Sequence, residues 1–235
     1  MFDPVAVGAL MDQVGSLSAP AEEDLVPVLP ALRPVLPDGG LRPGSVVCVD
    51  GPGAGSLGLA LIAGASQDLS SRGGGWCAVV GLPEFGVVAA VGMGADPARL
   101  LLVDEPGDRW PDVLAALFEA VDLVLVRLPQ RPAQPLAPAV GRRLTALARK
   151  HGCVLAVAGT WEGAQLRLRV DTTEWTGLGD GHGQLLGRRA RVIADGRGAA
   201  ARGREAWVWL PGPDGLVSSA EETATSRHGR LEVVA

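Results

Sequence analysis

Five short apolar runs, separated by stretches of helical length, constrain the fold of this chain more than any other feature: SVVCVD (45–50), CAVVGL (77–82), RLLLVDE (99–105), DLVLVRL (122–128) and CVLAVAG (153–159). A strand covered on both faces has no side free for polar residues, so it reads as a near-continuous apolar run rather than an alternating one. The stretches between them, LGLALIAGASQDLSS (57–71), EFGVVAAVGMG (84–94), DRWPDVLAALFEAV (108–121) and PLAPAVGRRLTALARKHG (135–152), read as helices. Strands alternating with helices imply crossover connections and a parallel sheet. The text then changes style. QLRLRVDTTEW (165–175), ARVIADG (190–196) and REAWVWL (204–210) are strand-like, with glycine-rich turns and no helices between them. The expected fold is therefore α/β: a mostly parallel central sheet flanked by helices, extended by antiparallel C-terminal strands.

Three regions follow from this pattern. Residues 1–44 comprise a short helix over 1–17, with Val5, Leu10, Val14 and Leu17 near helical spacing, and a connector from Ser18 to Gly44 that carries six prolines between Pro20 and Pro43. Proline fixes φ and lacks the amide donor, so a regular helix is not expected there. The connector reads as an arm that packs only in part on the core domain, which spans 45–211. Residues 212–235 form a polar tail.

Composition narrows the function classes. With 47% hydrophobic residues in 235, a sizeable core is available. A formal charge of −5 argues against nucleic-acid binding by the whole surface. No apolar run approaches the ~20 residues that span a bilayer, and the N-terminus has two aspartates and no basic leader. A cytoplasmic protein without membrane contact is expected. Cys48, Cys77 and Cys153 each lie inside an apolar run and read as small buried hydrophobes. His151, His182 and His228 stand apart from any cysteine or carboxylate cluster, so no metal site is expected.

The first βα connection, VVCVDGPGAGSLGLALIAG (46–64), has the outline of a phosphate-binding loop. Such a loop places glycine, lysine and a hydroxyl residue five, six and seven positions after its first glycine. Counted from Gly51, these places hold Ser56, Leu57 and Gly58. Gly51, Gly53 and Gly55 keep the loop's flexibility, but the cation for the β/γ-phosphates and the magnesium ligand are gone. Lys150, the single lysine among 21 basic residues, is remote in sequence. A nucleotide site also needs an aspartate at the end of a buried strand to orient Mg²⁺. In VDLVLVRLP, Arg127 stands at that place, with the opposite charge. No cofactor and no enzymatic activity are expected. In the vacated site Arg127 is placed to pair with Asp50 or Glu84.

From about Leu41 to Pro211, the order of segments resembles the core of the RecA recombinase family. LRPGSVVCVDGP resembles the strand entering the nucleotide loop. WCAVVGLPEFGVVAAVGMGADPARLLLVDEP is similar to the second strand, crossover helix and third strand, and VDLVLVRLP to the Walker B strand. LTALARKHGCVLAVAG matches the helix and strand leading to a glutamine sensor, whose place here is Gly159 or Thr160. LRLRVDTTEW and LLGRRARVIADGRGAAARGREAWVWLP resemble the paired C-terminal strands. Glu84 falls near the position of the family's hydrolytic glutamate, whereas the segments that correspond to the DNA-binding loops are cut down to PQRPAQPLAP and TWEGA.

Lost nucleotide motifs on a retained sheet resemble the ImuA type of RecA-like accessory protein. That resemblance implies a pseudo-ATPase acting by protein contacts in SOS-type DNA-damage repair and translesion synthesis. The implied partners are an error-prone polymerase and an inactive Y-family-like polymerase subunit. RecA itself, self-association through the N-terminal arm and single-stranded DNA are further implied partners. The SulA-like division inhibitors belong to the same neighbourhood and give the rival reading, as does a RecA-like protein that still binds ATP and single-stranded DNA.

For nucleic-acid or partner contacts, the sequence offers Arg188, Arg189, Arg191, Arg197, Arg202 and Arg204, together with Trp161 in the shortened loop as an exposed aromatic. Period-two alternation puts Arg191 and Ile193 on the face opposite Val192 and Ala194, so these arginines do not all point one way.

Overall fold

The computed structural model describes residues 25–68, 73–129, 137–178 and 183–220. The helix expected over 1–17 and the tail beyond 220 lie outside these residues. Along the described chain run β1 (Val46–Asp50), α1 (Ala54–Ser66), β2 (Cys77–Val80), α2 (Val87–Gly92), β3 (Leu100–Val103), α3 (Trp110–Leu117), β4 (Leu123–Val126), α4 (Pro138–His151), β5 (Val154–Ala158), β6 (Leu166–Leu178), β7 (Gly183–Gly196), β8 (Arg204–Trp209) and β9 (Ser218–Ser219). They build one nine-stranded sheet in the order β3-β2-β4-β5-β1-β6-β7-β8-β9. All pairings from β3 to β6 are parallel, and β6–β7, β7–β8 and β8–β9 are antiparallel. This is the α/β architecture expected from the sequence, with helices on both faces of its parallel part.

Four of the five apolar runs are what they are because both faces of the parallel sheet are covered there; the fifth, β3, is the edge strand, and its Leu101 and Leu102 are exposed. Val47, Val49, Val79 and Leu125 point to one layer with α1 and α2. Val46, Cys48, Val80 and Val126 point to the other, where Leu114 of α3 and Leu144 and Ala148 of α4 meet them. The antiparallel extension keeps only one face apolar. Leu168, Val170, Val192, Ala194 and Val208 join the first layer, and the opposite face carries charged side chains, as half-solvated antiparallel sheets do. All three cysteines are free and buried. Burial pushes the Cys153 thiol up to about 12, so it stays a neutral apolar group.

The proline-rich segment goes beyond the partial packing expected of it. From Leu25 to Leu41 it belongs to the core: Val28, Leu32, Val35, Leu36 and Leu41 are all at most 2% exposed. Pro30–Val35 forms a 3₁₀ helix with Pro30 at its start and Pro34 inside it, and it lies against β7, β8 and β9. Residues 212–220 are likewise more ordered than a loose tail, because Ser218 and Ser219 pair with β8. Among the described residues no helix is long and apolar enough to cross a membrane.

One contact shows how tightly the segment is held. A Cβ at Gly64 of α1 would lie 2.5 Å from the Leu29 amide nitrogen and 2.6 Å from Val28 Cα. Gly64→Ala should therefore lower stability by about 1–3 kcal/mol through overpacking against rigid backbone. Gly55→Ala, which points into open space, should stay within about 0.5 kcal/mol of wild type. Thermal or urea unfolding of the pair checks both.

Candidate functional site

The site lies where β1, β2, β4 and β5 end, at the turn that enters α1. Open parallel sheets bind ligands at the carboxyl ends of their strands. After Asp50 the chain turns through Gly51 and Gly53, with φ of 89° and 96°. Side chains are excluded there for a reason other than phosphate. A Cβ at Gly51 would lie 2.2 Å from the Val170 carbonyl oxygen of β6, and one at Gly53 would lie 2.8 Å from Arg188 Nη1 of β7. The glycines let the β6–β7 hairpin pass directly over the turn.

The loop itself is short, because α1 already begins at Ala54. Ala54 N–H donates to Gly51 O and Leu57 N–H to Gly53 O, each at 3.1 Å. Backbone amides that a phosphate cradle would aim at its ligand are thus partly used within the turn and helix. Leu57, in the place of the phosphate-binding lysine, is fully buried. Ser56 is half-buried and Gly55 exposed on the first turn. Gly58 sits against β4, where a Cβ would meet Leu125 Cδ2 at 3.1 Å.

Facing the turn is a pocket of ≈ 320 Å³ with an apolar floor that includes Leu59, Leu82, Phe85 and Leu125. Its charged rim is Asp50, Glu84 and Arg127. Of the two partners proposed for Arg127, the structure selects Glu84, whose Oε1 accepts from Arg127 Nη1. Glu84 is held below the usual carboxylate range, first by a backbone amide and then by the Arg127 guanidinium. Asp50 instead lies 3.5 Å from Arg167 of β6 through Oδ2, and its Oδ1 is buried without a hydrogen-bond partner. Gly159, at the sensor place, also lines the pocket.

The arginines of β7 and β8 do not form one contact face. Arg188 is only 8% exposed. It lies over the Gly53 turn, donates from Nε to Leu210 O at 2.9 Å and stacks 5.3 Å from the Trp175 ring centroid. Burial lowers its pKa. It is a packing element of the turn and not a surface contact. Arg189 pairs with Glu174 at 3.0 Å and stacks on Trp207. Arg191 is bonded to Asp171, which Arg191 and then Thr172 and Arg169 hold below its usual range. Arg202 and Arg204 are exposed at the far end of the sheet.

Trp161 is also placed differently from the sequence reading. It is 6% exposed, and its Nε1 donates to Thr145 Oγ1 at 3.2 Å, because the shortened β5–β6 turn tucks it under α4. Beside it runs a groove of ≈ 620 Å³ lined by Arg142, Arg149 and Arg197 with Glu162 as its one acid. Arg142, Thr145, Ala146 and Arg149 reach this groove by helical i, i+3, i+4, i+7 spacing. That periodicity is visible in GRRLTALARK and was the signal for this site. Among the described residues no three histidine, cysteine or carboxylate side chains gather as a metal ion would require.

The fold and the turn define an α/β protein built on a nine-stranded sheet, parallel in its first part and antiparallel in its extension. The MT3502 N-terminal domain model matches residues 34–163, and the chain belongs to that family. It is also 34% identical over 197 residues, 80% of this chain and 88% of the other, to the Uncharacterized protein Rv3395c of Mycobacterium tuberculosis.

Removing Arg127 tests the rebuilt rim. In Arg127→Ala, the Glu84 carboxyl should titrate higher than in wild type, by ¹³C NMR, yet stay somewhat depressed because its backbone bond remains. Since the folded-state pKa is depressed, the pair's contribution to stability is present above the ordinary glutamate value of about 4.3 and is lost as pH falls through the lowered value. The difference between variant and wild-type unfolding curves should accordingly shrink on acidification.

Proposed function

We propose that this chain is a non-hydrolysing, RecA-like accessory protein that acts through contacts with other proteins in damage-induced mutagenic DNA synthesis of the ImuA type. Its partners on this reading are an error-prone polymerase and an inactive Y-family-like polymerase subunit. The observation that carries the non-hydrolysing part is the double replacement at the turn. Leu57 is buried where a lysine would reach the phosphates, and the Arg127–Glu84 pair stands where magnesium would be held. A triphosphate–Mg²⁺ complex would have to break that pair and face helix-bonded amides. The mutagenesis setting is supported by the RecA-like segment order, which retains the sheet while the DNA-contacting segments are shortened.

Two measurements test this reading. A nucleotide at 100 times its Kd would add about 2.7 kcal/mol, or roughly 5–10 °C of Tm for a domain of this size. Millimolar Mg-ATP is expected to leave Tm within about 1 °C, and a full shift would restore an ATP-binding role. Affinity capture from DNA-damaged host cells should recover the polymerase partners, whereas recovery of division proteins would favour the SulA-like alternative.

A second reading has an observation of its own: the groove beside Trp161 presents Arg142, Arg149 and Arg197, all exposed. Single-stranded DNA laid there would release counterions with a slope of log K against log salt of roughly −2 for three phosphates. Anisotropy titrations of a labelled oligonucleotide should show that slope, and Arg142→Ala with Arg149→Ala should flatten it. Salt-independent or undetectable binding ends this second reading.

A further inference from the structure

The two edges of the sheet are finished differently. β9 is two residues long and polar, Ser218–Ser219, and so short an edge offers little to a neighbouring strand. The opposite edge is β3, within RLLLVDE (99–105), and among the described residues it is paired with β2 alone. No charge, proline or register shift interrupts Leu100–Val103, and Leu101 and Leu102 are 38% and 47% exposed. An open, apolar edge of this kind is a template for a further strand.

One bond fixes which backbone groups are on offer. Gly81 N–H donates to Val103 O, so the main-chain groups of Val103 turn towards β2. Alternation along the strand turns those of Leu101 the same way and those of Leu100 and Leu102 outwards.

We propose that two copies of this chain form a two-fold dimer through β3, the strand running antiparallel to its own copy with Leu102 on the axis. This goes beyond the accessory role and does not rest on it. A two-fold axis sets residue i against j and j against i on one face of the sheet, so the pairing must be centred on a residue. Centring on Leu102 lets its outward N–H and C=O exchange bonds with those of the second copy. Leu101 then faces Val103 of the second copy, so the exposed leucine on each face of the edge is covered. Arg99 faces Glu105 of the second copy at both ends, and opposite charges set across two strands favour the pair. Within its own chain Arg99 uses Nε on Asp96, at 3.3 Å, and Nη1 on Gly74 O, which steadies the guanidinium at the start of the strand. Glu105 is exposed. Asp104 falls opposite Leu100, where the strand ends. Centring on Leu101 would set Arg99 against Val103, and centring on Val103 would set Glu105 against Leu101. The edge is thus complementary to itself in one register, which favours a second copy over an unrelated strand.

An edge contact is smaller than a standard interface, so a weak dimer is expected, with a Kd of roughly 10–100 μM. Sedimentation velocity of the full-length chain across that range should show reversible monomer and dimer. Leu102→Lys sets two ammonium groups face to face and should weaken the dimer about tenfold, with the unfolding midpoint of the monomer unchanged. Glu105→Arg should weaken it by repelling Arg99. Hydrogen exchange at the Leu102 amide should slow as concentration rises, while the Val103 amide stays protected throughout. Leu102→Cys should oxidise to a covalent dimer, because directly opposed residues of a bonded pair have Cα atoms about 5.5 Å apart. Leu101→Cys lies on a diagonal of the pair, beyond disulfide reach, and the three native cysteines are buried. The proposal is overturned by a chain that stays monomeric across the range, by a dimer that Leu102→Lys leaves unchanged, or by cross-linking through Leu101→Cys in preference to Leu102→Cys. A Leu102 amide already protected in the dilute monomer also overturns it, because another part of the same chain then covers the edge.

Discussion

The structure depends on β1 being hydrogen-bonded on both edges and covered on both faces. Val46, Val47, Cys48 and Val49 are at most 1% exposed, and they pair with β5 on one side and β6 on the other. Its neighbour β6 is the strand that turns the parallel part of the sheet into the antiparallel extension, pairing parallel with β1 and antiparallel with β7. Because β6 runs parallel to β1 and continues past its end, the β6–β7 hairpin is carried over the turn that follows Asp50. That geometry brings the Val170 carbonyl onto Gly51 and the Arg188 guanidinium onto Gly53. Gly51 is therefore set by the backbone of β6 and Gly53 by the Arg188 side chain laid across it.

This accounts for a turn that is rich in glycine without a lysine after it. At Gly51 the Val170 backbone forbids a Cβ, at Gly53 the Arg188 guanidinium stands in its way, and positive φ discourages one at both. Leu57 is under a different constraint. Once the helix starts at Ala54, the next turn of α1 faces the core, and an apolar side chain there adds contact where a lysine would be stranded. Gly51, Gly53, Leu57 and Gly58 then each have a packing reason that involves no phosphate.

How much was legible in the sequence follows the same division. Strands buried on both faces announce themselves as apolar runs, so β1, β2, β4 and β5 could be read directly, as could the change to antiparallel pairing; β3 has the same apolar text but lies at the sheet edge with Leu101 and Leu102 exposed. The pairing of Arg127 was legible as a choice between two acids, since charge demanded a partner but only geometry could pick Glu84. What the text hid depends on distant contacts. VPVLPALRPVL looks like a connector by its prolines, yet it is buried because β7, β8 and β9 leave an apolar face that needs a cover. Arg188 looks like one more cation in a basic stretch, and nothing local shows that a turn more than a hundred residues earlier lies beneath it. Trp161 follows the same logic: a short loop suggests exposure, but shortness is also what draws the ring under α4.

The charged face of β6 to β8 shows why counting arginines was a poor guide to binding. Arg169 and Arg191 converge on Asp171 at the bulge where the β6–β7 register shifts, while Arg189 lies between Glu174 and Trp207. Cations held in such cross-strand pairs have their charge largely answered on the protein surface, and a phosphate would have to compete with a carboxylate already in place. The groove beneath α4 is arranged differently. Its arginines come from one helix face and the end of β7, with a single acid among its lining residues. Electropositive potential on this chain is thus governed less by where arginines are dense in sequence than by where carboxylates are missing. On the α4 side of the sheet, Arg142, Arg149 and Arg197 face only Glu162 among the groove's lining residues.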